Sequence, residues 1–353
     1  MWGNLVALSL SVLVSCGIGE AVLRPLVTLP LARTEPEVRY EPHPVRRFTL
    51  KPAQSAFTYG SPVSIDQRGF RRTGAQPGGV NPAATVLTLG DSFTFGMGVR
   101  DDEAWPAQVE QRLASLHHPA RVINAGTISY GVFQEMDLLR ERGLSVAPSV
   151  VIHALYWNDF MNAAPPAAGD PSPLTPEGYF TWDQPPGQRG AVERGRSWLI
   201  TRSALFFALW QALTVLQSSA PDGGYNAMYR RFTEAGLSSA DWAPIETFYR
   251  ELLQLGREHD FSTLVVVMPV NDLVATGAAA RHPYVVEAHR RLAALGLPFV
   301  DAFETFAGRA DAAGAFLPQG QDSHLNAAGY RRLADVVTRR LLAMERSPTA
   351  SAP

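Results

Sequence analysis

Apolar residues recur along this chain in two alternating rhythms. Val86–Leu89, reading VLTL, is a short apolar run that stops at the polar turn Gly90-Asp91-Ser92, as a buried strand followed by a tight turn would. Asp101-Asp102 then cap a predicted amphipathic helix in which Trp105, Val109, Leu113 and Leu116 recur at helical spacing, with Pro106 tolerated in its first turn. Arg121–Ile123, Ser149–Tyr156, Thr263–Met268 and Pro298–Asp301 predict further strands. Gln134–Arg142, Ile245–Arg257, Val285–Leu295 and Ala327–Met344 predict further helices. Strand and helix in alternation are the signature of a parallel sheet, so the pattern predicts an α/β domain with five parallel strands over residues 84–345. Before it, Phe57–Tyr59 and Val63–Ile65 read as short strands inside a lead-in rich in Pro, Gly and Arg, residues 26–83.

Two stretches break the alternation. Residues from about 161 to 240 are first Pro- and Gly-rich, then predict one helix over Ser197–Gln217, and Arg202 is nearly the sole charge in its Leu199–Leu216 core. Such a helix either packs on the domain or serves as a lid or membrane-facing element. Residues 1–25 form the second stretch. Met1–Gly19 carries no charged side chain and is closed by Glu20 and Arg24, near the length that a spanning helix needs. It reads as an uncleaved anchor, a cleaved signal peptide or, because Leu13-Val14-Ser15-Cys16 resembles a bacterial lipobox, a lipoprotein signal with Cys16 as the lipidated residue. A start without Lys or Arg speaks against both signal readings, and Cys16 is more simply a small residue in an apolar helix. The tail, 346–353, is expected to be disordered.

Composition narrows the function classes. The chain has 353 residues, 46% hydrophobic and 18% charged, with net charge −2: enough for one large α/β domain with an insertion or for two small domains. Without a Lys/Arg excess it is not expected to bind nucleic acid. A single cysteine excludes an internal disulfide and a Cys-based zinc cluster.

Ser92 is the candidate nucleophile, because ligands of open parallel sheets bind beyond the carboxyl ends of strands. A serine nucleophile needs a base, a group that orients the base, and donors for the oxyanion. Of eight histidines, His117 and His118 end a helix and His153 sits inside a strand, whereas His324 lies in a polar loop two residues after Asp322 and just before a helix. Asn158, like Ser92, ends a strand, so the three can converge on one sheet edge. Asp91 and Asp159 read as turn-capping residues, since no third ligand follows at metal-like spacing.

Four blocks now stand in order: Gly90-Asp91-Ser92, Asn124-Ala-Gly126, Trp157-Asn158-Asp159 and Asp322-Ser-His324. In this the chain resembles the SGNH, or GDSL-type, hydrolase family from about residue 84 to 342. The resemblance implies a flavodoxin-like three-layer α/β/α sandwich around the five-stranded sheet, carrying in addition the helical insertion and the N-terminal membrane segment. It implies Ser92 as nucleophile, His324 as general base and then acid, and Asp322 as the residue that orients the imidazole. The oxyanion would be held by the Asn158 side-chain amide, the Ser92 backbone N–H and a further backbone N–H. The family usually draws that last donor from a Gly five residues after the Asn, a position that is Ser129 here. The spacing Asp-x-His also departs from the Asp-x-x-His of many members, so that either Asp322 approaches the ring differently or His324 leans on a backbone carbonyl instead. No cofactor and no metal are implied. The expected function is a membrane-attached serine esterase that removes an O-acyl group, O-acetyl among them, from an envelope glycan or lipid. An O-acyltransferase that passes the acyl group to a sugar hydroxyl is the alternative in chemistry, and a non-catalytic binding module the alternative in class. The expected partners are the acylated carbohydrate or lipid and, through the N-terminal segment, the membrane. An envelope substrate puts the catalytic domain on the exocytoplasmic side, whereas Arg24, Arg33, Arg39, Arg46 and Arg47 would by the positive-inside rule keep it in the cytoplasm.

Overall fold

The computed structural model describes residues 2–27, 29, 37–74, 84–161, 163–165, 172–180, 191–218, 229, 232, 236–275, 277, 281–309, 311–317 and 324–346. Its helices are α1 (Trp2–Leu23), α2 (Ser92–Phe95), α3 (Trp105–Ser115), α4 (Val132–Leu138), α5 (Ala191–Ile200), α6 (Ala204–Ser218), α7 (Ser239–His259), α8 (Asn271–Ala275), α9 (Pro283–Ala294) and α10 (Ala327–Arg346). The strands are β1 (Tyr40–His43), β2 (Arg47–Leu50), β3 (Gln54–Thr58), β4 (Ser61–Ile65), β5 (Ala84–Leu89), β6 (Ala120–Asn124), β7 (Val150–Leu155), β8 (Ser262–Val267) and β9 (Phe299–Asp301).

Strands β5 to β9 form one parallel sheet in the order β6-β5-β7-β8-β9. Val86, Leu87, Leu89, Val151, Ile152 and Leu264–Val267 are all buried, as strands covered on both faces require. Helices α3 and α10 pack together as one layer, and α4 and α7 as another. Numbered within the sheet, the order is 2-1-3-4-5, so the topological switch point lies between β5 and β7, and a crevice opens beyond their carboxyl ends.

The chain before the sheet folds into two antiparallel hairpins, β1-β2 and β3-β4. Arg46, in the first hairpin's turn, is fully buried. It donates to Tyr130 Oη at 3.2 Å and to Asp137 at 2.6 Å, and it also pairs with Glu141, as a buried cation must. Arg71 follows the second hairpin and joins it to β6 through its backbone N–H and the Asn124 carbonyl, 3.1 Å apart.

Two local readings change. The helix expected over 197–217 is two helices, because Ser203 accepts from Phe206 N at 3.1 Å and starts α6 afresh. Asp101 and Asp102 do not cap α3, whose N-cap residue is Ala104, with no side-chain cap. Asp101 instead accepts from the Arg71 guanidinium at 3.1 Å and from Ser64 N at 3.2 Å.

Candidate active site

The turn after β5 is shaped by its packing. Gly90 has φ +147°, and a Cβ there would fall 2.2 Å from Thr94 Oγ1; only glycine fits. The chain then enters α2 at once. Asp91 caps it, accepting from Phe93 N at 2.9 Å. Arg71 holds the other end: its guanidinium donates to the carbonyls of Phe95, Gly96 and Val99, each at 2.6 Å. A buried cation at a helix C-terminus is placed to satisfy the carbonyls that the helix end leaves over.

Ser92 and His324 meet across this turn. Ser92 Oγ lies 2.6 Å from His324 Nε2, and both residues are buried. The imidazole stacks on the Phe93 ring, with centroids 4.3 Å apart and planes at 28°. Its backbone is fixed by the Leu317 N–H, which donates to the His324 carbonyl at 2.8 Å. Asp322 lies outside the described residues.

Asn158 arrives from the carboxyl end of β7, on a short 3₁₀ turn over Trp157–Phe160. Its Nδ2 donates to Asp91 Oδ2 at 2.8 Å. Ser92 Oγ is 3.4 Å from that same oxygen. Two N–H groups, those of Phe93 and the Asn158 amide, thus donate to the Asp91 carboxylate, whose pKa burial raises against the pull of those bonds. Asp159 caps its own turn, accepting from Tyr156 N at 2.8 Å.

The loop after β6 supplies the third side. A Cβ on Gly126 would fall 2.3 Å from Phe95 N, so a glycine lets this loop touch the backbone of α2. Asn124 joins the two, accepting from Gly126 N at 3.0 Å and donating to the Phe95 carbonyl at 3.3 Å. Ser129 adopts φ +65°, the left-handed conformation that a Gly would take without strain.

Beneath the site lies a polar cluster whose fourth member, Glu135, was not singled out from the sequence. Glu135 on α4, His153 on β7, Asp91 and Asp159 are each 0–1% exposed. His153 Nδ1 is 2.8 Å from Tyr249 Oη. Its Nε2 stands 2.9 Å from Glu135 Oε2, off a hydrogen-bonding direction. Burial pushes the His153 pKa down to about 4 and raises those of Glu135 and Asp159 well above the usual carboxylate range, so the neutral forms are favoured. The available signal was a charged residue on the apolar face of the 134–142 helix, opposite a histidine inside an otherwise apolar strand. The insertion reaches the site from above: Tyr229 and Phe232 pack on Trp157, with ring centroids 4.9 and 5.5 Å away.

The sequence profile of the GDSL-like lipase/acylhydrolase family matches residues 88–332. The chain belongs to that family and is an ester-hydrolysing serine hydrolase. A comparison with curated protein sequences gives no match. Among solved structures, TesA is similar at 15% identity and a TM-score of 0.43, covering 74% of this chain and 99% of that one. A lipase/acylhydrolase from Enterococcus faecalis is similar at 15% and 0.41, covering 74% and 96%. A catalytic mutant of Axe2, an acetylxylan esterase from Geobacillus stearothermophilus, is similar at 12% and 0.42, covering 74% and 95%.

Proposed function

We propose that this hydrolase is a membrane-attached esterase that removes an O-acyl group, O-acetyl in the simplest case, from an envelope glycan or lipid through an acyl-Ser92 intermediate. The observation that carries the reading is the 2.6 Å contact between Ser92 Oγ and His324 Nε2 at the sheet's switch point. At that distance the hydroxyl proton can pass to Nε2 as Oγ attacks the ester carbonyl carbon. The oxyanion that forms accepts from the Ser92 backbone N–H, from the Asn158 N–H not engaged by Asp91, and from the Ser129 backbone N–H. The intermediate collapses by breaking the C–O bond, and the departing alkoxide takes the proton from His324. Water then repeats the sequence in reverse: His324 accepts its proton, the hydroxide oxygen adds to the acyl carbon, and Ser92 leaves with the proton restored. Asp322 orients the imidazole in this scheme.

Membrane attachment is assigned to α1, whose Val6–Leu23 stretch is long and apolar enough to cross a bilayer by length and composition and is not buried in the protein. The reaction is tested with the purified full chain in detergent. A p-nitrophenyl acetate donor should yield free acetate, and added oligosaccharide should leave that yield unchanged. Acetylated sugar that forms at the expense of acetate and disappears in Ser92→Ala would make the chain a transferase.

A further inference from the structure

The insertion meets the N-terminal helix at one junction. Glu20, the only charged residue between Met1 and Leu23, stands near the end of α1, where a carboxylate opposes the helix dipole and is costly in lipid. Its oxygens accept from Ser203 Oγ at 2.8 Å and from the first backbone N–H groups of α6, those of Ala204 and Leu205, both at 3.0 Å. Arg24 pairs with the same carboxylate at 3.0 Å and donates to the Arg202 carbonyl. One acid therefore ends one apolar helix and caps another. Leu205 sits against Gly19, so close that a Cβ there would be 3.3 Å from its side chain.

From this junction α6 reads ALFFALWQALTVLQS, without one charged side chain. A helix that is apolar all round belongs in a protein core or in lipid. Ala204 and Phe207, beside the junction, are buried, but Leu209 is 56% and Leu213 53% exposed. Fifteen residues extend about 22 Å at ~1.5 Å each, less than a span requires. Beside the junction, the Arg202 guanidinium lies over Trp198 at 5.4 Å and that of Arg196 over Trp210 at 4.8 Å. Trp and Arg are residues of the membrane–water interface.

We propose that α6 is a second membrane-seated element whose partner is the lipid bilayer. It lies in the interfacial layer beside the polar end of α1, with Leu209 and Leu213 against acyl chains. The inference rests on the membrane attachment proposed above and extends it. The same insertion ends on Trp157, next to Asn158.

The test uses the full chain in phosphatidylcholine nanodiscs, one chain per disc, with and without doxyl-labelled acyl chains. An NBD probe on the native Cys16 reports on α1. Probes on Leu209→Cys and Leu213→Cys, in a Cys16→Ser background, report on α6, and one on Val286→Cys, half-exposed on α9, is the water-facing reference. Only variants that still react with a fluorophosphonate are compared, and either α6 position suffices. The expected result is a doxyl-dependent loss of emission on α6 equal to that at Cys16, and none at Val286. Quenching at Cys16 with α6 probes that behave like Val286 would overturn the inference and leave the anchor standing. A Cys16 probe that behaves like Val286 would remove the anchor and the inference together. Probes on α6 that become shielded only when discs hold two chains would assign the surface to a second copy instead.

Discussion

The side-chain amide of Asn158 donates to the Asp91 carboxylate at 2.8 Å, tying the turn after β7 to the turn after β5. A primary amide has two N–H groups. One is committed to Asp91, which fixes the direction of the other. In the proposed chemistry Asn158 supplies an oxyanion donor and Asp91 only aims it. Asn158→Ala should therefore lower kcat on p-nitrophenyl acetate by about 10²–10³-fold, with little change in KM. Asp91→Asn should cost less, and the double variant no more than Asn158→Ala alone. Additive losses would show that Asp91 acts independently of Asn158.

Ser129 holds a left-handed backbone, φ +65°, that costs an L-residue roughly 1–2 kcal/mol. The proposed role uses only its N–H. Ser129→Gly should keep kcat and raise stability by up to about 1 kcal/mol, read from urea unfolding. Ser129→Val should lose both. A Gly variant that folds but is inactive would assign the function to the hydroxyl.

Arg71 donates to three carbonyls at the end of α2 and to Asp101. Arg71→Met leaves those acceptors and the Asp101 carboxylate behind, so the expected loss is about 3–5 kcal/mol of unfolding free energy. A change under about 0.5 kcal/mol would class it with ordinary surface substitutions and refute the bracing role.

Burial raises the Glu135 pKa far above that of an exposed carboxylate. The folded state then keeps a proton that the unfolded chain releases, so this residue's contribution is complete at acid pH and is lost as pH rises toward its folded pKa. His153, pushed down to about 4, works in the opposite direction: its contribution is complete above the ordinary histidine range and is lost as pH falls toward 4. Glu135→Gln removes the first dependence and leaves the second. The melting temperature of Glu135→Gln relative to the unsubstituted chain should therefore rise from pH 5 to pH 8. A difference that is flat with pH would show that Glu135 titrates normally.

The sheet was legible because strands buried on both faces read as nearly continuous apolar runs, as Val150–Leu155, broken only by His153, and Leu264–Val267 do. Ser92, Asn158 and His324 were legible because each breaks such a run, or opens a helix, with a polar residue. Arg71, Glu135 and the β1-β2 hairpin were not. Their significance depends on partners far along the chain, such as His153 for Glu135, the Phe95 carbonyl for Arg71 and Tyr130 for Arg46 in the hairpin's turn, and no periodicity records that. The break between α5 and α6 was hidden for the same reason: Glu20, which supplies α6's first acceptors, lies 184 residues before Ala204. Asp91 and Asp159 do cap turns, as their positions suggested. Their complete burial beside Glu135 and His153 is a tertiary fact that a turn motif does not carry.

In the proposed chemistry Ser92, activated by His324, becomes acylated. A fluorophosphonate forms a stable phosphonyl ester with such a serine, and peptide mapping locates it. One adduct is expected, on the peptide that contains Ser92, with its suppression in His324→Ala because Oγ then has no base at 2.6 Å. An adduct on Ser129 or Ser323, or undiminished labelling of Ser92 in His324→Ala, would contradict it.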